Sequence, residues 1–113
     1  AIGSIFENLV INEFIKHIYN NKLGSKIFFY RDSNGQEIDL IVDSGSGILG
    51  IEIKASQTYS QDFLRGLLSF ASNVSLDTEF KGYIIYKGKQ SQKVGSVRLM
   101  SFSDLSKVLK EIK

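Results

Sequence analysis

The sequence predicts an α/β fold, a mixed β-sheet flanked by helices, on three observations. An aromatic-rich stretch at 26–31 and stretches of alternating apolar and polar residues at 36–43 and 48–55 follow one another with turn residues between them. Helical periodicity precedes them at 2–19, returns after them, and closes the chain. Gly82-Tyr83-Ile84-Ile85-Tyr86 is almost wholly apolar, the pattern of an interior strand covered on both faces. The expected order is α-β-β-β-α-β-β-α.

The 113 residues suit a single domain with a real core. At 42% hydrophobic and 23% charged, the composition is that of ordinary globular protein. There is no cysteine, which excludes a disulfide framework, a thiol nucleophile and a zinc–thiolate centre and fits a reducing, cytoplasmic setting. A net charge of +2 by itself says nothing about nucleic acid. No apolar run is long enough to span a bilayer, so no membrane partner is expected, and the start lacks a signal-peptide pattern. The chain opens on Ala1 and enters an apolar helix at once, so it is expected to be a fragment of something longer.

In the first helix, Ile2, Ile5, Phe6, Leu9 and Val10 form one stripe, and Ile11, Phe14, Ile15 and Ile18 continue around the cylinder. A helix apolar on most sides is expected to be wrapped by other elements. Gly24 is the expected left-handed break after it. The aromatic-rich strand 26–31 leads into Asn34-Gly35, a hairpin signal because both residues tolerate positive φ. Ser44-Gly45-Ser46-Gly47 makes a second turn, so the first three strands read as an antiparallel meander.

Thr58-Tyr59-Ser60-Gln61 has capping-box spacing, with Thr58 as N-cap. The helix it opens presents Phe63, Leu64, Leu67, Leu68 and Ala71, and carries a Gly66 that weakens it unless another backbone packs closely there. Residues 73–80 read as loop, 88–95 as a polar turn and 97–100 as a short final strand, before a helix capped by Ser103.

The chemistry lies in the second and third strands. Strict alternation puts Glu37, Asp39 and Ile41 on one face and Ile38, Leu40 and Val42 on the other, while Glu52 and Lys54 share a face. Carboxylates among Ile, Leu and Val stay charged only if something pairs with them. If the two strands pair, Asp39 and Glu52 can meet, and hard carboxylate oxygens suit Mg2+ or Mn2+, with the Ile53 carbonyl as a further ligand. Lys54 beside them can stabilise charge on a phosphate or orient a water. These parts serve phosphodiester hydrolysis; the bland alternative is a structural ion pair on a half-buried sheet.

Gly3-Ser-Ile-Phe-Glu7, Gly35-Gln-Glu-Ile-Asp39 and Ile51-Glu52-Ile-Lys54, in this element order, resemble the PD-(D/E)XK nuclease superfamily. More narrowly, Phe6-Glu7-Asn8, Ile11-Asn12-Glu13, Tyr30-Arg31-Asp32 and the pair Glu37-Ile-Asp39 and Glu52-Ile-Lys54 look like the nuclease-like domain at the C-terminus of prokaryotic AAA+ ATPases. The resemblance covers residues 1–87 and implies a restriction-endonuclease-like fold. It implies metal binding by Asp39 and Glu52, water assistance by Lys54, and a completing role for the helical Glu7. It also implies DNA as substrate and an ATPase module in the same chain as partner; self-association stays open. Ile38 stands where the superfamily often has Pro. Gln61 is followed by Arg65 rather than Tyr, against the exonuclease branch, and there is no Walker motif. A catalytically silent interaction or DNA-binding module is the competing class.

Glu7 and Glu13 lie ~120° apart on the helix, so both cannot face the site squarely. The local match favours Glu7; Glu13 is free to meet Arg31 or Lys54. Lys81, Lys87, Lys89, Lys93 and Arg98 occur with no acid between them. They read either as a phosphate-contacting strip beside the site, with Lys81, Lys87 and Lys89 the candidate nucleic-acid contacts, or as a solvated hairpin. Tyr83 and Tyr86 read as sheet packing, and His17 as satisfied or exposed.

Overall fold

A computed structural model describes residues 2–113, with Ile2 described in its backbone only, so its place in the helical stripe lies outside the described side chains. The elements are α1 (Ile2–Asn20), β1 (Lys26–Arg31), β2 (Glu37–Asp43), β3 (Gly47–Lys54), α2 (Arg65–Asn73), β4 (Glu79–Tyr86), β5 (Gln92–Val94), β6 (Val97–Ser101) and α3 (Leu105–Leu109). They build one six-stranded sheet in the order β1-β2-β3-β4-β6-β5. The mixed sheet flanked by helices is the expected fold class, and its first three strands form the expected antiparallel meander. The α2 crossover then makes β3 and β4 parallel, and β4 and β6 are parallel in turn. β5 adds a strand to the expected order: the polar turn at 88–95 contains Gln92–Val94, paired antiparallel with β6.

Two cores sandwich the sheet. On the α1/α3 face, Phe6, Val10, Phe14 and Ile18 of α1 pack with Leu40, Val42, Leu49, Ile51, Ile53, Tyr83, Ile85 and Val108. On the α2 face, Leu67 packs with Ile38, Ile41, Ile84, Tyr86, Val97 and Leu99. β4 feeds both cores from alternate residues, as its continuous apolar run predicts.

Several expectations change. α1 is only half covered: Ile5 (69% exposed), Leu9, Ile15 and Tyr19 (81% exposed) form an open outer face. Its end is set by Lys22, whose φ of 52° lets the Leu23 amide reach the Ile18 carbonyl at 3.0 Å, and Gly24 plays no left-handed role. No Thr58 capping box forms. Thr58 instead receives the Ser56 hydroxyl on its carbonyl, and Ser60 caps a 3-10 turn, Gln61–Leu64, by accepting from the Asp62 amide. Ser101 rather than Ser103 caps the turn that leads into α3, its hydroxyl accepting from the Ser103 amide.

Gly66 has the physical reason anticipated for it. A Cβ there would sit 2.7 Å from the Glu37 carbonyl oxygen, so α2 can dock against β2 only without a side chain at this position. At the hairpin, Gly35 takes φ of +82°, and the Asp32 carboxylate accepts from the Asn34 and Gln36 amides at 2.9 Å each.

Candidate metal and phosphodiester site

The site forms where β2 leaves β3. Their antiparallel ladder runs from Asp43↔Ile48 to Leu40↔Ile51 and goes no further, while β3 stays paired with β4 as far as Lys54↔Tyr86. Beyond the last ladder pair, side chains replace backbone partners. The Asp39 amide donates to Glu52 Oε1 at 3.0 Å, and the Ile53 amide donates to Asp39 Oδ2 at 2.7 Å. These reciprocal bonds satisfy two amides that the parting strands would otherwise orphan, and they fix both carboxylates at the fork.

A β-bulge on the other side of β2 aims Asp39. Pairing with β1 shifts from Phe28↔Ile41 to Tyr30↔Ile38, so Asp39 and Leu40 together oppose Phe29. The extra residue breaks strict alternation. Ile38 packs with Ile41 on the α2 face and apart from Leu40 and Val42, contrary to the period-two assignment. The bulge leaves Asp39 exposed to clefts on two sides. One is lined by Gly35, Glu37, Glu52, Lys54 and Arg65 as well as Asp39; the other is lined by Glu7, Phe29, Arg31 and Glu37 as well as Asp39.

The fork is electrostatically expensive. Glu52 is 6% exposed, and its carboxyl is raised to about 7, first by burial and then by the Asp39 charge. Burial also raises Asp39, against the Ile53 amide and Lys54, which favour its ionised form. Lys54 Nζ lies 3.5 Å from Glu52 Oε2 and 5.5 Å from the centroid of the Phe63 ring. One lysine does not offset two desolvated carboxylates.

Glu7 joins the site from α1. Burial raises its carboxyl, followed by the charges of Asp39 and Glu37, with Lys54 acting the other way. Glu13 instead bonds Lys16 at 3.1 Å, so the structure brings Glu7 to Asp39 and leaves Glu13 on the outer helix. Among the described residues, no three His, Cys, Asp or Glu side chains gather closely enough to hold a metal by themselves. A magnesium ion needs only one or two carboxylates and completes its shell with water and substrate phosphate, so the Asp39–Glu52 donor pair fits it.

The basic residues divide. Lys81 lies near the start of β4 at the far end of the sheet, where it bonds Glu111 at 3.1 Å and approaches Glu79 at 3.7 Å. It lies five residue steps along β4 from the level of Lys54, about 16 Å. Lys87 and Lys89 share the near end but line a groove with Ile5, Phe6, Leu9 and Phe102, with Lys87 Nζ 5.2 Å from the Phe6 ring centroid. Tyr83 and Tyr86 are buried, as sheet packing requires. His17 is half-buried in the last turns of α1, its carbonyl accepting from the Asn21 side chain.

Two arginines stand at the clefts: Arg31, which the sequence offers only as a partner for Glu13, and Arg65, for which it offers no role. Arg31 pairs with Glu37, and Arg65 pairs with Asp62. The only sequence signal for the second was its adjacency to Gly66, the residue that brings α2 against β2. Among the described residues no helix is long and apolar enough to cross a membrane.

Comparison with solved structures gives a fold likeness to a chain in a half-complex from a tetradecameric assembly of Thermococcus gammatolerans McrB AAA+ hexamers with bound McrC. The TM-score is 0.55 at 16% identity over 88% of this chain. The present chain spans only 27% of that chain. A second likeness is to the small subunit of the heterodimeric restriction endonuclease R.BspD6I, with a TM-score of 0.49 and 18% identity, covering 96% of this chain and 75% of that one. At such identities the first likeness speaks to fold alone. No curated protein matches the sequence. Residues 2–105 match a protein family described as a domain of unknown function, DUF4143, and over that span the chain belongs to it.

Proposed function

We propose that this is a PD-(D/E)XK-type, metal-dependent nuclease-like domain that hydrolyses DNA phosphodiester bonds as an accessory to an AAA+ ATPase module. The observation that carries the reading is the strand fork. Asp39 and Glu52 are desolvated beside one another and locked there by the Ile53 and Asp39 backbone amides respectively, an arrangement costly for the fold alone.

In this reading Mg2+ or Mn2+ would be held by the Asp39 and Glu52 carboxylates with the Ile53 carbonyl as a further ligand. When bound, the ion polarises the scissile phosphate and lowers the pKa of a water. The Lys54 ammonium, fixed by Glu52 and the Phe63 ring, orients the attacking water and offsets charge building on a non-bridging phosphate oxygen. Glu7 approaches Asp39 from α1 and acts through water on the metal shell. The link to an AAA+ ATPase is supported by the domain resemblance in the sequence and by the fold likeness to the McrB–McrC assembly chain. A cytoplasmic location is part of the same reading.

One observation favours a second role for the same fold. The open apolar face of α1, Ile5, Leu9, Ile15 and Tyr19, suits an interaction module whether or not the fork cuts. The deciding experiment incubates DNA with wild type, Asp39→Ala and Lys54→Ala, each with and without Mg2+ or Mn2+. Metal-dependent cleavage by wild type alone supports the hydrolase. Equal cleavage by all three means a contaminant, and none by any leaves the interaction module.

A further inference from the structure

We infer that the fork takes an unpaired nucleic-acid strand, with Phe29 serving as a stacking platform for the base next to the phosphate held at Asp39. The inference rests on the proposed phosphodiester site and names its substrate form. Phe29 is 71% exposed on the edge strand β1, directly opposite the bulge that carries Asp39. It lines the same cleft as Glu7, Arg31 and Asp39.

Phe28 beside it is less exposed, at 48%, and is not among the residues lining the Asp39 cleft; the nearby tyrosines are committed elsewhere. Tyr30 packs edge-on against Phe70 at 4.9 Å, and Tyr83 and Tyr86 are buried. Among the described residues no other aromatic ring stacks on Phe29. The other cleft beside Asp39 carries Lys54 and Arg65, so cations border the acid pair on both sides, with Arg31 on the Phe29 side. A strand crossing the fork would set one phosphate near Arg65, the next at the acid pair and Lys54, and the following base on Phe29.

A paired base keeps its faces stacked inside the duplex, whereas an unpaired base offers one to a side-chain ring. Such stacking tolerates any base, because every base has a π-face. The site is therefore selective for unpaired strands and indifferent to sequence.

The chain contains no tryptophan, so Phe29→Trp makes a single reporter at the platform. It is titrated with a mixed-sequence single-stranded oligodeoxynucleotide, and with the same sequence as a blunt duplex, in Ca2+ in place of Mg2+ so that the strand binds without being cut. The single strand is expected to quench the fluorescence and the duplex to leave it unchanged. In parallel, anisotropy of a labelled single strand should show roughly tenfold weaker binding for Phe29→Ala and Phe29→Leu, and retained binding for Phe29→Tyr. An unquenched tryptophan at saturating oligonucleotide overturns the inference. So does equal loss on the duplex, or a leucine that binds as well as phenylalanine, which would mark a protein-docking surface. Quenching without wild-type cleavage sinks only the hydrolase reading; cleavage without quenching sinks only the stacking platform.

Discussion

Two carboxylate clusters sit at opposite ends of the parallel pair β3 and β4, and they are built on opposite logic. At the near end, Asp39 and Glu52 are buried together with one lysine, and both acids are pushed toward protonation. At the far end, Glu111 and Glu79 share Lys81, and the Tyr83 hydroxyl donates to Glu111. There the base responds: hydrogen bonding to Glu111 raises Lys81 and holds it charged. The far cluster has the same two acids to one lysine, but it lies open to water, which screens the excess charge. The near cluster is short of positive charge and is fixed by backbone amides that keep its acids in place regardless. Under the proposed reading, a group of acids that the fold immobilises but does not neutralise takes its cation from outside.

The largest expected effect separates the two ends by chemistry. Asp39→Asn should lower metal-dependent cleavage by at least ~100-fold, while Lys81→Ala should leave it within about twofold. Gel assays on one DNA substrate would measure both. A Lys81→Ala protein as inactive as Asp39→Asn would erase the distinction between the ends.

The next effect is on stability against pH in metal-free protein. The Glu52 carboxyl is raised from 4.5 to about 7 in the fold. Between those values the folded state binds the proton that the unfolded state has released, so stability falls as pH rises through this window. The loss is up to about 3 kcal/mol at 1.36 kcal/mol per unit. Urea midpoints at pH 5 and pH 8 should show it in wild type and show much less of it in Glu52→Gln. A flat wild-type profile would mean that the fork is better solvated than its burial indicates.

Gly66→Ala comes third. Its Cβ would meet the Glu37 carbonyl oxygen at 2.7 Å, and a backbone oxygen cannot swing aside as a side chain can. Destabilisation of about 1–3 kcal/mol is expected from overpacking, together with a loss of cleavage as α2 and Arg65 back away from the fork. Thermal melts and cleavage assays of the same variant test the two together.

The smallest effect belongs to the far cluster. Lys81 and Glu111 are both partly open to water, so Lys81→Ala should cost no more than about 1 kcal/mol, and less in high salt. A larger cost, measured by urea unfolding at two salt concentrations, would make this end a structural keystone.

The sequence revealed the strands of the site because Ile and Val alternate with charge over enough residues to set a period, and Asn34-Gly35 joins two of them. The bulge was hidden. It arises from the pairing of β1 with β2, and nothing in Glu37-Ile-Asp39-Leu announces that alternation breaks there. β5 was hidden for a related reason, since Gln92-Lys93-Val94 is too short and polar to show a period and is a strand only through β6. α1 misled in the other direction. Its apolar coat predicted cover on most sides, yet periodicity reports which faces avoid water and not what covers them. The local sequence match favoured Glu7 over Glu13, and in three dimensions Lys16 takes Glu13 while the Asp39 cleft receives Glu7.

The most direct test of the central claim is calorimetric titration of Mn2+ into the metal-free protein at pH 7, in two buffers of different ionisation enthalpy. One ion should bind with proton release, because it displaces the proton that burial favours on the Glu52 carboxyl, and both binding and release should vanish in Asp39→Asn/Glu52→Gln. Binding that survives the double substitution, or wild type that binds no metal, would contradict a metal-holding fork.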